Sequence, residues 1–160
     1  MSKIFLAGLL AAGAAGALIA PVAAQGAALG PSAALCNSNT TAVQVDVRGF
    51  KARTGTVRVQ IYSANSNYLE KRKWIERVDV PVSRAGTMSV CVPVKQQGNY
   101  VISVRHDING NGKTDVSTDG GGMSNNPSIN VFNLGKPAVG KVSFPVGSGL
   151  KSITIAMKYM

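Results

Sequence analysis

The chain has few of the residues that a catalytic site or a helical fold needs. Its 160 residues include one histidine, two cysteines and seven acidic residues. No long stretch keeps the 3.6-residue period of an amphipathic helix, and no internal repeat or second domain is visible. A lone histidine without a nucleophile or second base beside it does not make a hydrolytic site. The sequence therefore favours a single domain that is all-β and non-catalytic.

The two cysteines, Cys36 and Cys91, do not form a Cys-x-x-Cys pair, and no base adjoins either of them. A catalytic or redox thiol needs one of these features. In an oxidising compartment an even pair of cysteines forms a disulfide. Closing a loop of roughly 55 residues contributes about 4 kcal/mol in the chain-entropy model. We predict a structural Cys36–Cys91 bridge.

The first 24 residues have the pattern of a cleaved signal peptide. Lys3 supplies a positive n-region, residues 4–20 are rich in Ala and Leu, and Val22 to Ala24 offer small residues for cleavage. The apolar run is short for a membrane-spanning helix, and Pro21 ends it. The sequence thus predicts a periplasmic or secreted protein with no transmembrane segment after cleavage. Residues 25–41 read as a flexible lead-in that contains Cys36.

Alternating apolar and polar residues from 42 to 160 predict a β-sandwich domain. Strands are predicted over 42–48, 56–62, 77–82, 87–94, 100–107, 129–133, 140–146 and 150–159. The first two are expected to form a hairpin, and Pro81 places the third at a sheet edge. The predicted fold is a single antiparallel Greek-key sandwich of seven to eight strands, immunoglobulin- or prealbumin-like. Tyr100, which opens a strand after Gly98, resembles a tyrosine corner, although an ordinary core tyrosine fits equally well.

The stretch after the strand 100–107 has the spacing of a calcium loop. Asp107-x-Asn109-x-Asn111-Gly112-x-x-Asp115 places oxygen-bearing side chains at positions 1, 3, 5 and 9, with glycine at position 6. The glutamate expected at position 12 is missing. The candidate ligands are Asp107, Asn109, Asn111, the carbonyl of Lys113, Asp115 and Asp119. So little ligand charge predicts weak calcium binding, at about 10⁻⁴ to 10⁻³ M.

A second interpretation of the same loop needs no metal. Asn109-Gly110 and Asn111-Gly112 are also strong turn dipeptides, and Asp and Asn side chains satisfy such turns by bonding to the backbone. His106, Ser124, Asn125 and Asn126 are predicted to brace the loop, and the glycines Gly120 to Gly122 are expected to form a mobile loop. Hydrolysis by His106 with a loop carboxylate is the least favoured function.

The chain is strongly basic, with 17 Lys and Arg and a formal net charge of +10. Such a charge draws a protein to polyanions, for example an anionic component of the cell envelope, without identifying one. No nucleic-acid-binding motif is present. The candidate patch comprises Arg48, Lys51, Arg53, Arg58, Lys71, Arg72, Lys73 and Arg77. An ordinary solvated face explains the same charges.

Three groups of residues together resemble a known family. They are Gly98-x-Tyr100, the run from His106-Asp107 through Asn109-Gly110-Asn111-Gly112-Lys113 to Asp115, and Ser124-Asn125-Asn126. The chain from about 43 to 159 resembles the bacterial secreted domain-of-unknown-function family 2141 (DUF2141). The resemblance implies an exported sandwich similar to prealbumin-like and carboxypeptidase-regulatory-like domains, with no established activity. Asp119, three glycines and Met123 replace a longer segment with an aromatic residue that the family usually has.

Overall fold

The computed structural model describes residues 27–128 and 135–160. Two open β-sheets stack face to face, so the predicted β-sandwich is confirmed. The small sheet has three strands in the order β4-β1-β8, and the large sheet has six, with β3-β2-β5-β6-β9 in order and β7 paired to β5. The predicted signal peptide, 1–24, and the predicted strand 129–133 lie outside the described residues.

The strands follow the alternation of the sequence closely in the first two thirds of the chain. Their bounds are β1 Ala42–Arg48, β2 Thr56–Ser63, β3 Glu76–Pro81, β4 Met88–Pro93, β5 Gly98–Asp107, β6 Gly120–Met123, β7 Phe144–Val146, β8 Leu150–Ala156 and β9 Lys158–Tyr159. A 3-10 helix spans Ala33–Asn37 and a single helical turn, α1, spans Val139–Val142. The main core lies between the sheets and is built largely from the valines and isoleucines of their inner faces.

Sheet membership differs from the prediction at three places. β1 and β2 do not form a hairpin, because β1 pairs with β4 and β8 while β2 pairs with β3 and β5. The β1–β8 pairing is parallel, unlike the other pairings between strands. The predicted strand 150–159 is divided at Met157, where the chain passes from the small sheet to the large one.

Two predicted local structures are corrected. The glycine run Gly120–Met123 is a strand of the large sheet rather than a loop, paired with β5 and β9. The strand predicted over 140–146 is the turn α1 followed by the short strand β7. β3 does lie at the edge of the large sheet, as Pro81 predicts. The Tyr100 hydroxyl donates to the Gln96 carbonyl at 2.7 Å, the bond that defines a tyrosine corner.

The lead-in is attached to the small sheet from residue 27 onward, which differs from the predicted flexibility. The Leu29 amide donates to the Ser89 carbonyl at 2.7 Å, and the Cys91 amide donates to the Leu29 carbonyl at 3.2 Å. The Cys36–Cys91 disulfide fastens the same segment to β4, and this prediction is confirmed. The lead-in therefore occupies an edge of β4 that would otherwise present unpaired backbone groups.

A second apolar cluster covers part of the outer face of the large sheet. It joins the buried side chains of Tyr62, Tyr68, Val101, Met123 and Val142. The Tyr68 hydroxyl donates to the Pro137 carbonyl, which ties the segment between β2 and β3 to the segment before α1. This face of the sheet is therefore partly a core and not simply a solvated surface.

Candidate functional site

The loop Asp107–Asp119 joins β5 to β6, which are antiparallel neighbours in the large sheet. Asp107 is the last residue of β5, and its carboxylate is buried at 3% exposure. Asp119 comes directly before β6 and is 7% exposed. The two ends of the loop are therefore held by the sheet, while the residues between them, apart from Ile108 and Asp115, are exposed.

The Asp107 carboxylate organises the first half of the loop. Its Oδ1 accepts a hydrogen bond from the Asn111 amide at 3.2 Å, and its Oδ2 accepts one from the Gly112 amide at 2.8 Å. Gly112 has a φ of +78°, a conformation that glycine adopts without strain. An Asp side chain that bonds to the backbone of the turn is compatible with both interpretations of the loop.

The side chains at positions 3, 5 and 9 converge. The Nδ2 atoms of Asn109 and Asn111 both donate to Oδ2 of Asp115, at 2.9 and 2.7 Å. These hydrogen bonds are the main cause that lowers the pKa of the Asp115 carboxyl from its usual value. The amide oxygens of the same two asparagines accept from the backbone amides of Asn111 and Lys113. The loop is thus both convergent and internally hydrogen-bonded.

Asp119 closes the loop. Its Oδ1 accepts from the Ile108 amide at 3.2 Å and its Oδ2 accepts from the Asp115 amide at 3.0 Å. One carboxylate therefore joins the second and ninth positions of the loop through their backbone amides. The sequence placed Asp119 among the candidate ligands only because it stands one position beyond the expected glutamate.

Arg105 is a loop residue that the sequence analysis missed. Its guanidinium donates to Thr114 Oγ1 at 2.8 Å and to the Gly112 carbonyl at 3.1 Å, and it lies 3.5 Å from Asp107 Oδ2. Its buried Nε has no hydrogen-bond partner among the residues that the structure describes. The signal was available, because alternation puts residue 105 on the outer face of β5, two residues before Asp107.

The donor set fits a hard cation in kind but holds little charge. Carboxylate, amide and carbonyl oxygens are the ligands that calcium takes. Asp107, Asp115 and Asp119 supply the carboxylates, and Asn109, Asn111 and the Lys113 carbonyl complete the predicted set. Arg105 offsets part of that charge. Among the described residues, no group of three or more His, Cys, Asp or Glu side chains is arranged to hold a metal ion.

His106 lies inside the sandwich, with no exposed surface. Its Nε2 is 2.8 Å from the Thr54 carbonyl, which can only accept, so Nε2 carries the hydrogen. Its Nδ1 is 2.7 Å from the Tyr159 hydroxyl, whose pKa is raised by burial. Both ring nitrogens are therefore engaged in joining β5, the segment before β2 and the last strand, β9.

Ser124, Asn125 and Asn126 brace a different part of the molecule from the Asp107–Asp119 loop. The Ser124 hydroxyl accepts from the Ile102 amide at 3.1 Å and donates to the Val142 carbonyl. The side chain of Asn125 donates to the Ser143 carbonyl, and that of Asn126 bonds to both Thr154 and Ala156. These three residues therefore tie the end of β6 to α1, β7 and β8.

The basic residues do not form one uniform patch. Arg58 and Arg77 lie on the outer face of the large sheet, and both pair with Asp79, at 2.7 and 2.6 Å. The guanidinium of Arg53 donates to the Gly86 carbonyl at 2.8 Å and stacks 4.8 Å from the centre of the Phe50 ring. Arg48, Lys51, Lys71, Arg72 and Lys73 are exposed. The candidate patch thus contains two arginines that share a single carboxylate and six cations that are exposed.

A cavity of about 530 Å³ opens beside the loop, on the outer face of the large sheet. Thr114, Val116 and Asp119 of the loop form part of its wall, and β5, β6 and β9 contribute to its lining. The Met123 and Leu69 side chains of the outer cluster border it as well. The calcium-type loop and the cavity therefore share a boundary.

The family assignment follows from a comparison with protein-family models. Residues 45–154 match a family described as "uncharacterized protein conserved in bacteria (DUF2141)". The chain belongs to DUF2141. No curated protein and no solved structure matches it. The matched segment of this DUF2141 protein contains nearly all of the sandwich, including the Asp107–Asp119 loop and the glycine strand β6.

Two observations bear on where this DUF2141 protein folds. The disulfide between Cys36 and Cys91 is typical of an oxidising compartment outside the cytoplasm. Over residues 27–128 and 135–160, no helix has the length and apolar character needed to cross a membrane.

Proposed function

We propose that this DUF2141 protein is a non-catalytic, periplasmic or secreted module that binds or supports a component of the cell envelope, with a loop that holds calcium weakly. Export is supported by the N-terminal signal pattern and by the disulfide. The absence of catalysis is supported by His106, which is fully buried with both ring nitrogens engaged.

The observation that carries the calcium proposal is the meeting of Asn109, Asn111 and Asp115 at one carboxylate oxygen. These three side chains already point into one volume. Rotating the side-chain amides of Asn109 and Asn111, so that oxygen and nitrogen exchange places, would direct both oxygens into that volume. The backbone amide of Asn111 would still donate to Asp107 Oδ1, so the loop would lose only part of its internal hydrogen bonds. The bound ion would stiffen the loop without taking part in a reaction.

A calcium titration followed by thermal and urea unfolding tests this proposal. At ten times the dissociation constant, a ligand bound only by the folded state stabilises it by about 1.4 kcal/mol. We expect this increment at millimolar calcium and a clearly smaller one with magnesium, which demands stricter octahedral geometry.

Asp115→Asn is the variant of choice for that titration, because it removes a ligand charge and puts a neutral amide of the same shape in its place. It should abolish most of the calcium increment. Asp79→Asn, two strands away from β5, should leave the increment intact. A calcium increment that persists in Asp115→Asn, or that is absent from the unaltered protein, contradicts the proposal.

A second candidate function is polyanion binding, favoured by the exposed run Lys71, Arg72 and Lys73 and by the exposed Lys51. Retention on immobilised heparin should then fall steeply with salt. Charge reversal at Lys71 and Lys73 should reduce it, whereas Asp115→Asn should not. Equal elution of the charge-reversed and unaltered proteins rejects this function.

A further inference from the structure

Strand β6 contains three consecutive glycines, and the space available for a side chain differs between them. A Cβ at Gly120 would lie 2.4 Å from the Tyr159 ring, and a Cβ at Gly122 would lie 2.6 Å from Ile155 Cγ2. Both positions face the packed interior, so a larger residue there would clash. Among the described residues, none would lie within 4 Å of a Cβ at Gly121, and Gly121 does not have a positive φ. Neither packing nor backbone conformation therefore requires glycine at position 121.

What lies around Gly121 is the cavity. Glycine within a strand marks a place where another group approaches the backbone closely. Gly121 lies on the outer face of the large sheet, and its bare backbone forms part of the lining of the 530 Å³ space. A cavity of this size is in the range that accommodates small-molecule ligands.

Two cations flank this bare position. In the register of the sheet, Gly121 is opposite Arg105 on β5 and opposite Lys158 on β9. Directly opposed residues of antiparallel strands project from the same face. The outer face therefore has Arg105 and Lys158 on either side of Gly121, which has no side chain. The backbones of Arg105 and Lys158 are about 10 Å apart across β6. An anionic group placed over Gly121 would lie between them.

The rest of the lining is mainly apolar. Met123, two residues along β6 on the same face, Leu69, Val116 and Met160 border the cavity, and Val116 and Met160 are 63% and 64% exposed. Exposed large apolar side chains grouped around a concavity are typical of a binding surface. The Asp119 carboxylate in the lining already accepts a backbone hydrogen bond at each oxygen.

From this combination we propose that the cavity binds a small amphipathic anion, an apolar chain ending in a carboxylate. The carboxylate lies over Gly121 between Arg105 and Lys158. The chain lies against Met123, Leu69 and Val116. Lys158 is free to turn toward such a ligand, because its Nζ donates to a neutral acceptor, the Pro127 carbonyl. Arg105 keeps its hydrogen bond to Thr114 and contributes its positive charge to the wall of the cavity.

Calorimetric titration of the whole chain with decanoate tests the proposal, with decyltrimethylammonium and acetate as matched probes. The first control keeps the chain and reverses the charge, and the second keeps the carboxylate and removes the chain. We expect decanoate to bind at least about tenfold more tightly than either control. Equal binding of the two ten-carbon probes overturns the proposed role of the cations.

Two variants assign the binding to this cavity. Gly121→Leu fills the space above β6 and should weaken decanoate binding by about tenfold or more, without lowering the melting temperature. Gly147→Leu, at another glycine with open space around it, should change neither property. Lys158→Gln should weaken decanoate binding and leave decanol binding unchanged.

The opposite results are equally clear. Undiminished decanoate binding by Gly121→Leu would locate the ligand elsewhere and overturn the proposal. A failure of the unaltered protein to bind decanoate, with a lower melting temperature for Gly121→Leu, would mean that the chain's own residues fill the space. That result would overturn the proposal as well.

Discussion

The outer faces of the two sheets are covered in different ways. On the small sheet, the disulfide-linked lead-in lies over β4, and Ala28 and Leu35 pack against Ala42 and the two cysteines. On the large sheet, the Tyr68 cluster covers one part, and the part beside the Asp107–Asp119 loop stays open. The outer face of the small sheet is thus covered by a segment that a disulfide holds in place, and the apolar cluster beneath that segment is small. The large face is covered in part, by an apolar cluster and hydrogen bonds and without a disulfide among the described residues.

This difference suggests a division of roles between the sheets. The small sheet needs only to be stable, and a cross-link supplies stability where burial is limited. The open part of the large sheet carries the convergent oxygens, the cations Arg105 and Lys158 and the cavity. Variants that act on one face and not on the other test this division of roles.

The largest effect is expected from removing the disulfide. Replacing Cys36 and Cys91 together by alanine should lower the free energy of unfolding by about 4 kcal/mol, because the unfolded chain regains the freedom of a long loop. Urea unfolding of the variant and of the reduced unaltered protein should agree. A loss of less than about 1 kcal/mol would mean that the lead-in is held mainly by its backbone pairing at Leu29.

A smaller effect separates the two faces of a single strand. Gly122→Ala should cost about 1–3 kcal/mol, since its new methyl group would press on Ile155 and the Ala156 carbonyl. Gly121→Ala should be neutral or stabilising by up to about 1 kcal/mol, because alanine restricts the unfolded chain more than glycine does. Thermal and urea unfolding of the two variants measure the contrast. Equal destabilisation would mean that the outer face at Gly121 is as closely packed as the inner face.

The smallest effect is expected at Asp79, on the outer face away from the cavity. Burial alone would raise the pKa of this carboxyl, but hydrogen bonds from Arg77 and Arg58 outweigh burial and lower it. Asp79→Asn should cost at most about 1 kcal/mol at neutral pH, because the pairs are partly exposed to solvent.

The pH dependence of Asp79→Asn follows from that lowered pKa. The advantage of the unaltered protein is complete above the unfolded pKa, about 3.9, and is lost as pH falls through the lower folded value. The two unfolding curves should therefore converge in acid. The variant also frees two arginines and should elute from heparin at higher salt, and unchanged elution would argue that this part of the face meets no polyanion.

Alternation in the sequence located most strands because one face of each is buried. It predicted β1 over its full length and β2 to within one residue. It could not say which strands pair, since a buried face looks the same in either sheet, and β1 and β2 were wrongly joined in a hairpin. β6 was missed for a related reason. Three glycines have no side chains to alternate, and the strand is defined by contacts with Tyr159 and Ile155, distant in sequence.

The candidate loop was more predictable than the fold around it. Its spacing is local, so Asp107, Asn109, Asn111 and Asp115 were expected together, and their hydrogen bonds do connect them. The position of Arg105 follows only from knowing that β5 leads into the loop with that residue on the outer face. The cavity depends on β6 and β9, whose pairing no local pattern indicates.

The parallel pairing of β1 with β8 has a consequence for how the chain reaches its folded state. Every residue of β1, from Ala42 to Arg48, has its partner in Leu150–Ala156, more than a hundred positions later. Contacts of such high order form slowly, because a long loop must close before they stabilise anything. The small sheet therefore cannot be completed until the last dozen residues have been synthesised. Until β8 has been synthesised, the side of β1 that pairs with β8 presents unpaired backbone groups.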